Sequence, residues 1–197
     1  VGISKGMELK PGSMGKPTPG NRVDIINEVG EICAIGEVGD IAVHVDTPAL
    51  FKNYYKDPER TAMQFRGDYY VTGDKAKMDE EGYFWYKCRA DDVIISAGYT
   101  IGPIEIEEAL KKHPAVIEVA VVGSPDKERG EVVKAFIKTN RNPSEPLKKE
   151  IQEFVKTNLS KHEYPREIEF LKELPKTPDG KIKRKELKER ERKKKAS

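Results

Sequence analysis

Long apolar runs are missing from this chain. No stretch approaches the roughly 18 residues that a membrane-spanning helix needs, and no signal-peptide pattern is present, so no membrane partner is expected. Cysteine is nearly absent. Cys33 and Cys88 lie far apart and without metal-ligand spacing, which excludes a disulfide scaffold and a cysteine metal site. They read as buried, reduced thiols of a cytoplasmic protein. There is no internal repeat, and no Gly/Ser/Thr-rich phosphate loop ending in Lys. An initiator Met is also missing, and the opening at Val1 is expected to mark a fragment. The 197 residues suffice for one or two cores.

Charge is plentiful instead, at 36% of residues, and nearly balanced at a net +2. The balance hides a basic end: between Lys181 and Lys195 stand ten Lys or Arg against three Glu. Such a tail could engage nucleic acid or an anionic surface. However, Glu186, Glu189 and Glu191 are interleaved with the cations and no aromatic is present to stack on bases. The expectation is a solvated terminal helix and no nucleic-acid partner.

Periodicity divides the chain near its middle. Residues 1–20 hold prolines and glycines in a loop, and Arg22–Ile26 alternates as a strand. A turn at Glu28–Glu31 leads to a short second strand, and Asp40–Val45 forms a third. Asp57 then caps a helix beginning at Pro58 and reaching Phe65. Asp68–Asp74 continues to Met78, turns through Asp79–Gly82 and returns along Tyr83–Lys87, with Trp85 packed between strands. His44, alone in a strand, carries no catalytic expectation. After Arg89–Pro103, an amphipathic helix runs Pro103–Lys112, strands follow at 116–122 and 132–138, a helix at Leu147–Leu159 and a strand at Arg166–Leu171. The fold class is α+β: a β-rich segment over 1–90, then a small α+β domain over 91–197.

Three short stretches carry polar chemistry. Thr72-Gly73-Asp74 ends a predicted strand in a turn, where a carboxylate can accept two hydrogen bonds from vicinal hydroxyls. Arg89-Ala90-Asp91-Asp92 precedes an apolar strand, the glycine turn Ala97-Gly98-Tyr99 and a helix-starting Pro103. Pro175-Lys176-Thr177-Pro178-Asp179-Gly180-Lys181 presents a lysine on a Pro/Gly-rich turn. Taken singly, each has an ordinary structural alternative: a turn Asp, a surface ion pair, one more Lys in a basic tail.

Together these stretches closely resemble the adenylate-forming enzymes, and within them the medium-chain acyl-CoA synthetases. The medium-chain likeness rests on Ala97–Pro103, His113–Val116 and Arg129–Phe136. The resemblance covers nearly the whole chain and implies the last third of such an enzyme, with a large N-terminal domain, the acyl pocket and the ligands of Mg2+ lying upstream. It implies a carboxylic acid, ATP and CoA as substrates and two half-reactions, acyl-adenylate formation and then thioester formation, with a rotation of the small domain between them. Asp74 and Arg89 would hold the nucleotide, and Lys181 would bridge the attacking carboxylate and the α-phosphate. Asp91 would be the hinge. Ala97, Gly98, Tyr99, Arg129 and Thr157 would contact CoA. Thr100 departs from the pattern, where the resemblance implies an Arg. Two other readings are an adenylation domain that loads a carrier protein, and a stand-alone binding module with a basic tail; the Arg129 segment favours free CoA over a carrier. The 197-residue piece is expected to be inactive alone.

Overall fold

A computed structural model describes residues 1–157, residue 159 and residues 163–196. It divides into two compact units, Val1–Asp91 and Asp92–Ser197.

The first unit is an antiparallel sheet of β1 (Val23–Ile26), β2 (Val38–His44), β3 (Phe65–Arg66), β4 (Tyr69–Met78) and β5 (Phe84–Arg89). Its order is β1-β2-β4-β3, with β5 pairing the far half of β4. Period-2 alternation sends Val23, Ile25, Ile41, Ala76 and Phe84 to one core, which Cys33 joins, and Ile26, Ala42 and Tyr69 to the opposite face. Residues 1–20 contribute no named strand, yet the loop is not loose. Met14 N–H donates to Phe84 O and Phe84 N–H donates to Gly15 O, at 2.8 Å each, in the bridge between Gly15 and Phe84.

Three expected elements differ. The short strand after Glu31 reduces to a single bridge between Ile26 and Ile32, because the chain turns again at Gly36 before a ladder can form. The helix capped by Asp57 is α1 (Pro58–Met63); Phe65 is drawn instead into β3, opposite Tyr70. Most consequentially, β4 does not end at Asp74. Trp85 also serves polar bonding, its half-buried indole donating to Asp79 Oδ2 at 3.0 Å. His44 is buried, its Nδ1 accepting the Asp46 N–H at 3.2 Å.

The second unit is built on β6 (Ile94–Ser96), β7 (Tyr99–Ile101), β8 (Val116–Asp126), β9 (Gly130–Thr139) and β10 (Glu167–Phe170). The order is β10-β9-β6-β7 with β8 on β9; among the described residues β9 and β10 run parallel and the other pairs antiparallel. Helices α2 (Pro103–Lys111) and α3 (Glu145–Lys156) contribute to a core with one face of this sheet, and α4 (Arg184–Ala196) to a core with the other. That explains the apolar runs Val119–Val122 of β8 and Ala135–Ile137 of β9, since strands covered on both faces need no polar side. Val119, Val121, Ala135 and Ile137 join Ile106, Leu110, Leu147, Ile151 and Val155; Ala120, Val122 and Phe136 join Leu174 and Leu187. Leu147, Ile151 and Val155 are spaced four apart on one face of α3. Each such burial contributes about 1.5–3 kcal/mol. The expected extension of this helix crosses residue 158, which lies outside the described residues.

The basic C-terminal helix is not simply solvated. Leu187 is 1% exposed and Glu191 0%. Glu191 Oε1 lies 2.8 Å from Lys134 Nζ, and Glu191 Oε2 accepts from the Ser124 hydroxyl at 3.0 Å. Burial would lower the Lys134 pKa, but hydrogen bonds to Glu191 and Glu169 outweigh it and raise it. Arg190, Lys194 and Lys195 pair with Glu169 and Glu167 of β10.

Candidate functional site

In the first unit the geometry is centred on a bulge. β2 pairs Asp40 with Lys75 and Ala42 with Val71, so the single residue Ile41 faces Thr72-Gly73-Asp74. Gly73 makes this possible, with φ at +81°. The Thr72 hydroxyl fills the gap by donating to Ile41 O at 2.9 Å and accepting the Asp74 N–H at 3.2 Å. Buried Asp40 braces the same stretch through Lys75 and Arg66, each at 2.9 Å. A recess of about 480 Å³ opens beside it, lined by Asp40, Phe65, Arg66, Gly73 and Lys75 among others.

Across the β4–β5 ladder, Asp74 stands opposite Arg89. Arg89 Nη1 donates to Asp74 Oδ1 at 2.9 Å, and its Nε lies 3.6 Å from Asp91 Oδ1. The Asp74 hydrogen bond raises the pKa of the guanidinium above its ordinary value. Both side chains remain partly exposed, so this pair contributes little stability. It offers an acceptor carboxylate and a guanidinium fork side by side, a donor–acceptor set suited to a ribose bearing a phosphate.

In the second unit, Ala97 and Gly98 both have positive φ, +49° and +82°, between the paired residues Ser96 and Tyr99. This is the two-residue geometry in which both central residues must be left-handed. The Ala97 N–H donates to Arg129 O at 2.9 Å, so the β6–β7 and β8–β9 turns are tied together. Asp126 Oδ1 in turn accepts the Arg129 N–H at 3.0 Å. Thr157 belongs to a different element: it ends α3, its hydroxyl donating to Phe154 O at 2.8 Å.

Lys181 is carried by a small closed loop. Thr177 N–H donates to Lys181 O at 2.8 Å, and Lys181 N–H donates to Thr177 Oγ1 at 3.0 Å. Gly180 turns the chain at φ +85°. The backbone is therefore fixed while the side chain is 81% exposed, its ammonium 3.0 Å from Asp179 Oδ2. Hydrogen bonds from Thr177 and Lys181 hold the Asp179 carboxyl below its ordinary value. The structure thus groups Asp74, Arg89 and Asp91 in one unit, and Ala97, Gly98, Tyr99 and Arg129 in the other, with Lys181 and Thr157 on further elements of that second unit. Thr72 and Gly73 as builders of the bulge were beyond sequence reasoning, because a strand that continues through Thr-Gly-Asp has the same residue pattern as one that stops there. Among the described residues, no three His, Cys, Asp or Glu converge to hold a metal, and no helix is long and apolar enough to cross a membrane.

Residues 105–181 match the family described as AMP-binding enzyme C-terminal domain. The chain is 60% identical over 199 residues to an uncharacterized acyl–CoA ligase, YtcI, of Bacillus subtilis (strain 168), covering 100% of this chain and 38% of that protein. It is 55% identical over 197 residues to the mitochondrial acyl-coenzyme A synthetase ACSM3 of Rattus norvegicus, covering 96% of this chain and 34% of that one. Among solved structures, the anthranilate CoA ligase AuaEII in complex with anthranoyl-AMP superposes with a TM-score of 0.83 at 36% identity, over 96% of this chain and 37% of that chain. The chain therefore spans a little over a third of the length of these relatives.

Proposed function

We propose that this chain, which belongs to the adenylate-forming enzymes, is the C-terminal portion of an AMP-forming acyl-CoA synthetase acting on medium-chain carboxylic acids. The observation that carries the reading is the Asp74–Arg89 pair, set in register at 2.9 Å by a glycine bulge. In this reading Asp74 accepts from the ribose hydroxyls of ATP, and Arg89 swings its fork between Asp74 and the nucleotide. The substrate carboxylate attacks the α-phosphorus, the bond from that phosphorus to the α,β-bridging oxygen breaks, the β and γ phosphates leave together as pyrophosphate, and acyl-adenylate forms. Lys181, on its closed loop, neutralises the charge that grows on the attacking and α-phosphoryl oxygens. The CoA thiol then loses its proton and attacks the acyl carbon, and AMP leaves.

The second step takes the other lining. Ala97, Gly98 and Tyr99 form the wall of the pantetheine channel, where a glycine without a Cβ lets a thin chain approach closely. Arg129 meets a CoA phosphate, and Thr157 contributes at the end of α3. Asp91, 81% exposed, is the hinge, since a solvated side chain loses little in either orientation of the unit it precedes. Thr100 leaves one cation fewer along that channel. Magnesium accompanies ATP in this reading, and the described residues provide no cluster for it. The two buried cysteines, Cys33 and Cys88, without metal-ligand spacing, support a reducing compartment such as the cytoplasm. The ion pairs of Arg190, Lys194 and Lys195 with β10 support a basic helix committed to its own sheet and not to nucleic acid.

The test is pyrophosphate release by the full-length parent with acids of graded carbon number, with and without CoA, in wild type and Lys181→Ala. The reading expects one window of chain lengths and a variant that loses adenylation while still converting supplied acyl-adenylate. Failure of every acid to release pyrophosphate, or an unaffected Lys181→Ala, overturns it. Loading of a carrier protein in place of CoA would reassign the acceptor.

A further inference from the structure

Besides the buried pair of Lys134 and Glu191, the second unit holds a buried charge cluster that the residues assigned so far leave without a role. Glu107 on α2 is 4% exposed, yet it is fully partnered. Its Oε2 lies 2.7 Å from Arg184 Nη2, and its Oε1 accepts from Arg184 Nη2 at 2.9 Å and Nε at 3.2 Å. The same Oε1 takes the Val121 N–H of β8 at 2.9 Å. The remaining guanidinium nitrogen, Nη1, lies 3.8 Å from Asp92 Oδ2, and Lys188 Nζ donates to Asp92 Oδ1 at 3.1 Å.

Sequence position gives this cluster its meaning. Arg184 opens α4 three residues after Lys181, and the chain between them is pinned by the bridge from Ile182 to Lys176 and by Lys183 N–H donating to Pro175 O at 2.9 Å. Asp92 is the first residue of the second unit. Its neighbour Asp91 closes the first unit and lies beside Arg89. Two adjacent acids therefore have opposite allegiances. Glu107, Asp92, Arg184 and Lys188 all belong to the second unit, so a rotation about Asp91 leaves their contacts intact. A buried carboxylate stripped of its cation is costly, which keeps the cluster assembled throughout.

We infer that Arg184 is a positioning residue for the adenylation step: through Glu107 and Asp92 it fixes the stem of the Lys181 loop and the near end of the hinge to one rigid body. The hinge's backbone change is thereby confined to the N-terminal side of Asp92, and Lys181 travels with the body and not on a free loop. A planar fork suits this task, because it satisfies one carboxylate in a fixed geometry while a second nitrogen faces another. The inference rests on the roles proposed above for Lys181 and Asp91.

Its test uses the full-length parent and reads the two half-reactions separately: pyrophosphate release on adenylation, and conversion of supplied acyl-adenylate by CoA. Arg184→Gln should lower the adenylation kcat by about 10–100-fold, the scale on which misplacement of a catalytic group acts. The KM for ATP and the rate on supplied acyl-adenylate should stay within about threefold. Arg184→Lys, which keeps the charge and loses the fork, should fall between the two and serves as the folded variant where Arg184→Gln is unstable by circular dichroism. Equal losses in both half-reactions, or none in either, overturn the positioning role. Lys181→Ala run alongside separates the two levels. If Lys181→Ala adenylates normally the proposed function itself fails; if it does not while Arg184→Gln does, only the positioning role fails.

Discussion

Gly73 is the residue on which the Asp74–Arg89 pair, and with it the proposed nucleotide grip, turns. A Cβ added there would lie 2.9 Å from Arg89 Nη2, and φ is already +81°. Gly73→Ala should therefore cost about 1–2 kcal/mol of stability for the left-handed backbone. It should also displace Arg89 from Asp74 and raise the KM for ATP in the parent about 10-fold. Urea unfolding and ATP saturation curves measure the two effects separately. Arg89→Ala, which keeps the backbone, should raise KM without the stability loss. Asp79 is a second legible point. Its Oδ1 accepts from Glu81 and Tyr83 N–H groups, and its Oδ2 from Trp85 and Lys10. Desolvation opposes ionisation of Asp79, but the Trp85, Tyr83 and Lys10 hydrogen bonds outweigh it and lower its pKa to about 2. A lowered folded pKa means stability that is fully present above the ordinary value of 3.8 and is lost as pH falls through about 2. Trp85 is the single tryptophan, so its fluorescence should titrate with a midpoint near 2, and Asp79→Asn should abolish that transition.

Among the elements, α4 teaches most about reading charge. Its sequence is a run of Lys, Arg and Glu that looks solvated on every side, yet Leu187 and Glu191, four apart and so on one face, are both buried. Lone Leu187 was the available signal. What hid the contact was that the facing residue, Lys134, stands in the apolar strand β9 and reads locally as an interruption of that strand. Polar complementarity between distant segments has no local signature. Because Lys134 and Glu191 are both nearly inaccessible, removing one partner strands the other. Lys134→Ala should destabilise the second unit by about 3–5 kcal/mol in urea unfolding. The double replacement Lys134→Met with Glu191→Leu should recover most of that loss, since apolar groups of similar volume need no partner. Glu169 points the same way: desolvation is outweighed by its hydrogen bond to Lys134, and its pKa is lowered. Its contribution should be present above the ordinary 4.5 and fade as pH falls below it.

At the scale of the molecule, each unit has its own apolar clusters, Val23, Ile25, Ile41 and Phe84 in one, and Ile94, Leu110, Val121 and Ile151 in the other. Denaturation should therefore give two transitions. Trp85 fluorescence reports only Val1–Asp91, whereas far-UV helical signal comes mainly from α2, α3 and α4 of Asp92–Ser197. Lys134→Ala should shift the helical transition and leave the fluorescence transition in place. Coincident shifts by both probes would count against independent units.

The sequence by itself determined the α+β class, the change of pattern near Asp91, most of the strands and helices, and the three motifs around Asp74, Arg89 and Lys181. These depend on side-chain period, turn residues and short-range spacing, all of which are local. Only the tertiary structure decided that Thr72-Gly73-Asp74 is a bulge inside a continuing strand, that Asp91 and Asp92 serve different units, and that Glu191 lies buried against Lys134. Each of those depends on which distant group fills a register gap or meets a charge, and register and partner choice are set by the folded whole.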